Sequence, residues 1–254
     1  MLLAERLQKI VDIVNERRSI RVTELSDLFE VTEETIRRDL DKLEAERKLA
    51  RSHGGAVSIA ETPSETPYYE REIVNKEEKR KIAQAAVSFI QPRERILLDA
   101  SSTAWYMAKL IPDIPLTVLT NSIKVSMELS TKEKIQVIST GGILSPGSLS
   151  WVGPLAVRSL EQYYVNRLFF SCKGARLERG LSDSNELQAL VKQQMLAVAE
   201  SAYLLADHSK FGIQEFSHVA GWDSVDYVIT DERTDTQVVQ QLRERAIEVI
   251  QLTM

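Results

Sequence analysis

From residue 95 onward the chain repeats one pattern: a short apolar run, a turn bearing hydroxyls or glycine, then a stretch with helical spacing. Arg95-Ile96-Leu97-Leu98-Asp99, Leu116-Thr117-Val118-Leu119-Thr120, 136–139, 167–170, 203–206 and 227–229 read as strands. Segments 104–110, 123–129, 155–163, 187–199 and 236–247 read as helices. Short apolar strands alternating with helices imply a mainly parallel sheet covered on both faces, an α/β fold. With 43% hydrophobic and 27% charged residues among 254, the chain can bury a sizeable core and is no disordered polymer.

The residues before this region are organised differently. The polar run Glu61-Thr62-Pro63-Ser64-Glu65-Thr66-Pro67 carries two of the seven prolines, and proline holds its predecessor extended, so the run reads as a connector. The expected domains are 1–59, a connector at 60–74, and 75–254. In the first, Leu3, Leu7, Ile10, Val11 and Val14 recur at spacings of three and four, as on one face of a helix. A short helix over Thr23 to Phe29 is expected to turn Leu25 and Leu28 inward. A third opens at Thr32, whose hydroxyl can cap free amides while Glu33 and Glu34 suit the positive helix end. Leu49 to His53 and Ala56 to Ile59 flank Gly54-Gly55, a sequence for a tight hairpin.

Helix, helix, capped helix and basic hairpin form, in this order, a winged helix-turn-helix. At about 100° per residue, Ile36, Leu40 and Leu43 set the core side of the third helix, and Glu34 and Arg38 lie nearly opposite. Thr35 and Lys42 lie beside them, and Arg37 on the other flank. Such a face can read base edges in the major groove: Arg38 a guanine, Glu34 a cytosine amino group, Arg37 a phosphate, with the two arginines open to exchange. The hairpin adds Arg47, Lys48, Arg51 and His53, with no acid between Glu46 and Glu61, a patch suited to phosphates. The formal net charge is −5, so nucleic-acid contact must be local.

Residues 5–59 resemble the DNA-binding half of the DeoR/GlpR family of bacterial sugar-catabolism regulators. The matching runs are Glu5-Arg6-Leu7-Gln8-Lys9-Ile10, Val22-Thr23-Glu24-Leu25-Ser26, Val31-Thr32-Glu33-Glu34-Thr35-Ile36-Arg37-Arg38-Asp39-Leu40 and His53-Gly54-Gly55-Ala56. The resemblance implies binding to a double-stranded DNA operator as a homo-oligomer, dimer or tetramer, most often as a repressor.

In an open α/β sheet, ligands bind where strands end and helices begin. Asp99-Ala100-Ser101-Ser102-Thr103 occupies such a place and can hold a phosphate on hydroxyls and amides. Asn121 and Ser122, Gly141 and Gly142, Lys173 and Gly174, and Lys210 follow later strands. Two lysines, hydroxyls and an amide suit a phosphorylated polyol. Asp183 and Glu186 also fit a capping box. The larger half resembles the same family's effector domain, similar in fold to ribose-phosphate isomerases, over about 75–250. Its motifs include Leu98-Asp99-Ala100, Thr120-Asn121-Ser122, Thr140-Gly141-Gly142, Val152-Gly153-Pro154 and Ser209-Lys210-Phe211-Gly212. That likeness assigns phosphate binding to Ser101-Ser102-Thr103 and ligand contacts to Asn121, Lys173, Glu186 and Lys210. Two departures stand out: Ser101 stands where the family commonly has glycine, and the acidic residue the family commonly has near Lys173 is missing.

The expected function is a regulator of a carbohydrate catabolic operon controlled by a phosphorylated sugar; the alternative is a sugar-phosphate isomerase carrying a winged helix, with Asp99, Asp183 or Glu186 as base. No catalytic role, cofactor or metal is expected, because His53, His208 and His218 lack ligand spacing and the single Cys172 reads as a small apolar residue. No apolar run approaches the roughly 18 residues of a membrane span, and a cytoplasmic location is expected.

Overall fold

The apolar spacing of the first residues produces α1 (Leu3–Arg17), with Leu7, Ile10 and Val14 buried. The computed structural model describes residues 3–17, 19–46, 48–52, 54–57 and 66–252. Arg47 and His53, both assigned to the wing, lie outside the described residues. The chain divides into two compact units between residues 64 and 65.

In the first unit, β1 (Ser19–Arg21) leads into α2 (Val22–Phe29), then α3 (Glu33–Ala45), β2 (Ala50–Ser52) and β3 (Gly55–Val57). Ile36, Leu40 and Leu43 are fully buried, as their spacing requires. Leu28 is 52% exposed, against expectation. α2 starts at Val22, so its inward stripe runs through Val22 and Leu25 and leaves Leu28 off its edge. The hairpin forms as expected, but β1 adds a third strand in the order β1-β3-β2. Gly54 has φ +80, and a Cβ on Gly55 would lie 2.2 Å from the Ile20 carbonyl oxygen. One glycine makes the turn; the other lets β1 approach.

The second unit begins inside the expected connector. Tyr68–Ile73 form a helix, α4, whose Tyr68 is buried, so this part of 60–74 packs rather than merely connects. Then follow α5 (Lys76–Val87), β4 (Arg95–Leu98), α6 (Ser102–Leu110), β5 (Leu116–Thr120), α7 (Ile123–Leu129) and β6 (Ile135–Ser139). A hairpin, β7 (Ile143–Ser145) and β8 (Ser150–Val152), precedes α8 (Pro154–Leu160), β9 (Val165–Phe170), β10 (Gly174–Arg176) and β11 (Gly180–Asp183). The chain closes with α9 (Glu186–Ala197), β12 (Ala199–Leu205), β13 (Ser217–Ala220), β14 (Tyr227–Thr230), α10 (Thr236–Glu244) and β15 (Glu248–Gln251).

Seven strands form one sheet in the order β15-β14-β12-β9-β4-β5-β6, with every neighbouring pair parallel. Side chains alternate across it. Ile96, Leu98, Val118 and Phe169 pack with α5, α6 and α7, while Leu97, Leu119, Leu168 and Phe170 pack with α8, α9 and α10. From β4 the chain moves to β5 and β6 on one side, then returns to β9 on the other. The strand order therefore reverses between β4 and β9, and a crevice opens beyond their carboxyl ends.

Candidate nucleic-acid interface and effector cavity

The first candidate site is the outer face of α3. Thr32 caps it, its hydroxyl accepting from the Thr35 amide at 3.3 Å. The Arg38 and Glu34 side chains are 79% and 63% exposed. Arg38 Nε donates to Glu34 at 3.3 Å and Arg37 Nη2 to Glu33 at 2.7 Å. Exposed pairs one turn apart hold by only about 0.3–0.5 kcal/mol. Both guanidiniums can therefore leave for a base or phosphate at little cost. Lys42 is exposed on the same helix.

Two features differ from the sequence reading. Arg51 is already paired: its Nε lies 3.5 Å from Asp41, and its amide donates to Glu44 at 2.8 Å. Lys48 pairs with Glu46 at 2.8 Å. Acids from α3 and its end thus partly neutralise a wing that looked purely basic. Asp39, inside the Arg-Arg-Asp string, faces inward: Arg6 of α1 donates to both its oxygens, at 2.7 and 3.3 Å. The bond to Asp39 raises the Arg6 guanidinium above its usual range. This pair locks α1 to α3.

The second candidate site is a cavity of about 250 Å³ at the crevice between β4 and β9. Five residues of the expected effector set line it: Ser101, Ser102, Thr103, Lys173 and Lys210. Ser101 caps α6, its hydroxyl accepting from the Ala104 amide at 3.0 Å. The first-turn amides of a helix have no acceptor within it, so α6 presents donors to the cavity. Asp99 is sealed beneath the floor, its oxygens accepting from the Ser101 and Ser171 amides at 3.1 Å each. It ties β4 to β9 across the switch point.

The cavity contains more cations than the sequence suggested. Arg71, Lys79 and Lys192 join Lys173 and Lys210, against Asp183 and Glu215. Lys192 is buried and donates to Asp183 Oδ2 and the Ser171 carbonyl, each at 2.7 Å, with Asp99 at 3.7 Å. Burial alone would lower its ammonium, but the two carboxylates outweigh burial and hold it above the lysine range. Lys79 has no such partner in contact. Burial, opposed by the Asp207 charge and reinforced by Lys210 and Arg71, pushes it down to about 8. Burial would raise the Asp207 carboxyl, but hydrogen bonds from Ser209 and Asn75 and the charges of Lys210 and Lys79 keep it below its usual range. Cys172 also lines the cavity, and burial pushes its thiol up to about 12, which leaves it unreactive.

The remaining expected residues lie off the cavity wall. Asn121 donates to the Trp151 carbonyl at 3.1 Å, and Ser122 caps α7. Gly142 has φ +119 and abuts the Val152 carbonyl, while Gly141 has φ +62. Gly174 lies in β10 against Ile213. Glu186 is exposed in the first turn of α9. The capping box fails: Asn185 caps α9, accepting from the Leu187 and Gln188 amides, and Asp183 instead binds Lys192. The readable sign of the missed floor was Gln188 and Lys192, two polar residues one turn apart on an otherwise apolar face; both are buried.

Among the described residues no group of three or more His, Cys, Asp or Glu is placed to hold a metal. Nor is any helix long and apolar enough to cross a membrane.

Residues 6–62 match the model of the DeoR-like helix-turn-helix domain, and residues 74–232 that of the DeoR C terminal sensor domain. The HTH-type transcriptional regulator YulB of Bacillus subtilis is 58% identical over 98% of this chain and 96% of its own. The L-fucose operon activator of Escherichia coli is 37% identical over 91% and 96%, and the transcriptional repressor GlcR of B. subtilis 32% over 97% and 95%. Among solved structures, ribose 5-phosphate isomerase A from Methanocaldococcus jannaschii aligns over 54% of this chain and 55% of its own, with a TM-score of 0.41 and 17% identity. The winged helix, the parallel sheet domain and the relatives spanning both agree: the chain belongs to the DeoR family of HTH-type transcriptional regulators.

Proposed function

We propose that this regulator controls a carbohydrate catabolic operon, as a repressor, and that a phosphorylated sugar or polyol occupies the cavity at the sheet's switch point. The observation that carries this reading is the convergence of Arg71, Lys79, Lys173 and Lys210 with the amino end of α6. Anions are stabilised at helix amino ends and by lysine or arginine, and the Ser171, Gln188 and Glu215 side chains can meet sugar hydroxyls. Relatives include a fucose operon activator and a putative aga operon repressor, which supports a sugar operon as target. The protein acts as a homo-oligomer, dimer or tetramer, so that two α3 helices meet successive major grooves. Of the proposed DNA contacts, Glu34, Thr35, Arg37, Arg38 and Lys42 read or clamp from α3, with Thr32 at its cap and Arg51 on β2; His53 is proposed from its place in the sequence alone.

The isomerase alternative draws no support. Of its expected bases, Asp99 is sealed, Asp183 is bonded to Lys192, and Glu186 lies off the cavity wall. Gel-shift titration with the DNA flanking the gene, in the presence of monophosphorylated pentoses, hexoses and polyols, tests the proposal. One of them should shift the DNA affinity by roughly 5–150-fold. No retarded fragment at moderate salt would overturn it.

A further inference from the structure

Residues 66–75 lie across the cavity. Thr66, Arg71 and Val74 line it, and this strap continues directly into the chain that leads to the DNA-binding unit. The strap's backbone is held by donors that belong to the cavity. Lys79 Nζ donates to the carbonyl oxygens of Arg71 at 2.5 Å and Val74 at 2.6 Å. Ser102 Oγ donates to the same Arg71 oxygen at 3.3 Å. Arg71 Nε is turned along the strap to the Thr66 carbonyl at 3.0 Å. Fastenings from outside the cavity add to the hold, among them Tyr106 Oη to the Glu72 carbonyl at 3.1 Å, Asn75 Nδ2 to Asp207 at 2.8 Å and the Tyr68 amide to the Gly147 carbonyl at 2.7 Å.

An anion seated at the amino end of α6 needs the same groups: the Ser102 hydroxyl, the Lys79 ammonium and the Arg71 guanidinium. Charged oxygens accept hydrogen bonds more strongly than neutral carbonyls do. The geometry points to an exchange in which a bound anion takes Ser102 Oγ and Lys79 Nζ from the strap carbonyls and so frees residues 66–75, which precede the sheet and follow the DNA-binding unit in the chain. This rests on the reading of the cavity as the effector site, and it names the element that reports occupancy.

Hydrogen exchange on the full chain, with and without inorganic phosphate at a concentration that saturates its thermal shift, tests the exchange. Phosphate should accelerate the amides of residues 68–75 at least threefold over the sheet amides. Asn75→Ala and Tyr106→Phe, which remove strap fastenings without touching the cavity wall, should each tighten phosphate binding about 2–10-fold. Saturable phosphate binding with strap amides unchanged or slowed, and with variants no tighter than the parent, overturns the exchange and leaves the effector reading standing. A phosphate shift that is absent, or that survives Ser102→Ala combined with Lys210→Ala, removes the effector cavity and the exchange together.

Discussion

Replacing Lys192 by methionine tests whether the cavity floor depends on one buried charge. The ammonium lies 2.7 Å from Asp183 and 3.7 Å from Asp99, whose side chains are 2% and 1% exposed. Those carboxylates hold Lys192 above the ordinary lysine range, so its contribution is complete below about pH 10.5 and is lost only as pH rises past its folded value. At neutral pH the pair is fully formed. Methionine retains the apolar stem and strands two buried carboxylates, and breaking a buried pair from one side costs about 3–5 kcal/mol. At about 2–4 °C per kcal/mol for a unit of this size, the melting point should fall by about 6–20 °C. Trp105, Trp151 and Trp222 are the three tryptophans and all lie in the second unit, so their fluorescence follows that transition alone. Adding Asp183→Asn to Lys192→Met should restore about half of the loss, because Asp99 keeps its two amide donors. A single variant within about 1 kcal/mol of the parent, or a double variant no better than the single, would refute the argument.

Three other outcomes are expected. Arg38→Ala should lower discrimination at one base pair by about 1–3 kcal/mol in competition gel shifts, whereas an equal loss on all DNA would make Arg38 a phosphate contact. Arg6→Ala strands the buried Asp39 carboxylate and should destabilise the first unit by about 2–3 kcal/mol, read from the exchange of α1 and α3 amides; unchanged protection would refute the lock. Lys79 binds fewer protons in the native state than in the unfolded chain between about pH 8 and 10.5, so its contribution to stability rises with pH through that window. A bound anion reverses the cause, so phosphate binding at pH 8.5 should take up protons and weaken as pH climbs. Calorimetric enthalpies independent of the buffer's ionisation heat would contradict this.

What was legible follows the reach of each interaction. The α3 core face and the sheet strands depend on local apolar spacing, and Ile36, Leu40, Leu43, Ile96, Leu97 and Leu98 are all fully buried. The Ser101–Thr103 turn was legible because a cap and a phosphate loop share one local signature. α5 was missed because its inward face is Ile82, Ala83 and Ala86 within a run of charges, which leaves little apolar contrast. Lys79 and Lys192 become cavity residues through contacts between elements, Lys79 with the carbonyls of Arg71 and Val74 and Lys192 with Ser171 and Asp183, which helical spacing alone does not show. The Arg51 tether to Asp41 is likewise tertiary: a wing without acids of its own borrows them from α3.

The same distinction locates the movable part of an allosteric device. A coupling of about 1–3 kcal/mol accounts for a 5–150-fold change in operator affinity. The seven-stranded sheet is a poor source for it, because shifting fully buried side chains such as Leu97, Leu168 and Phe170 opens cavities that cost several kcal/mol at once. The strap holds its cavity side by three hydrogen bonds, two from Lys79 and one from Ser102. At a net 0.5–1.5 kcal/mol each, their loss removes about 1.5–4.5 kcal/mol of hold from the strap, which overlaps the required range. Two helices packed on a rigid sheet, α5 and α6, carry the donors; with a short covering segment that either keeps or loses them, they are sufficient to make cavity occupancy felt at the strap.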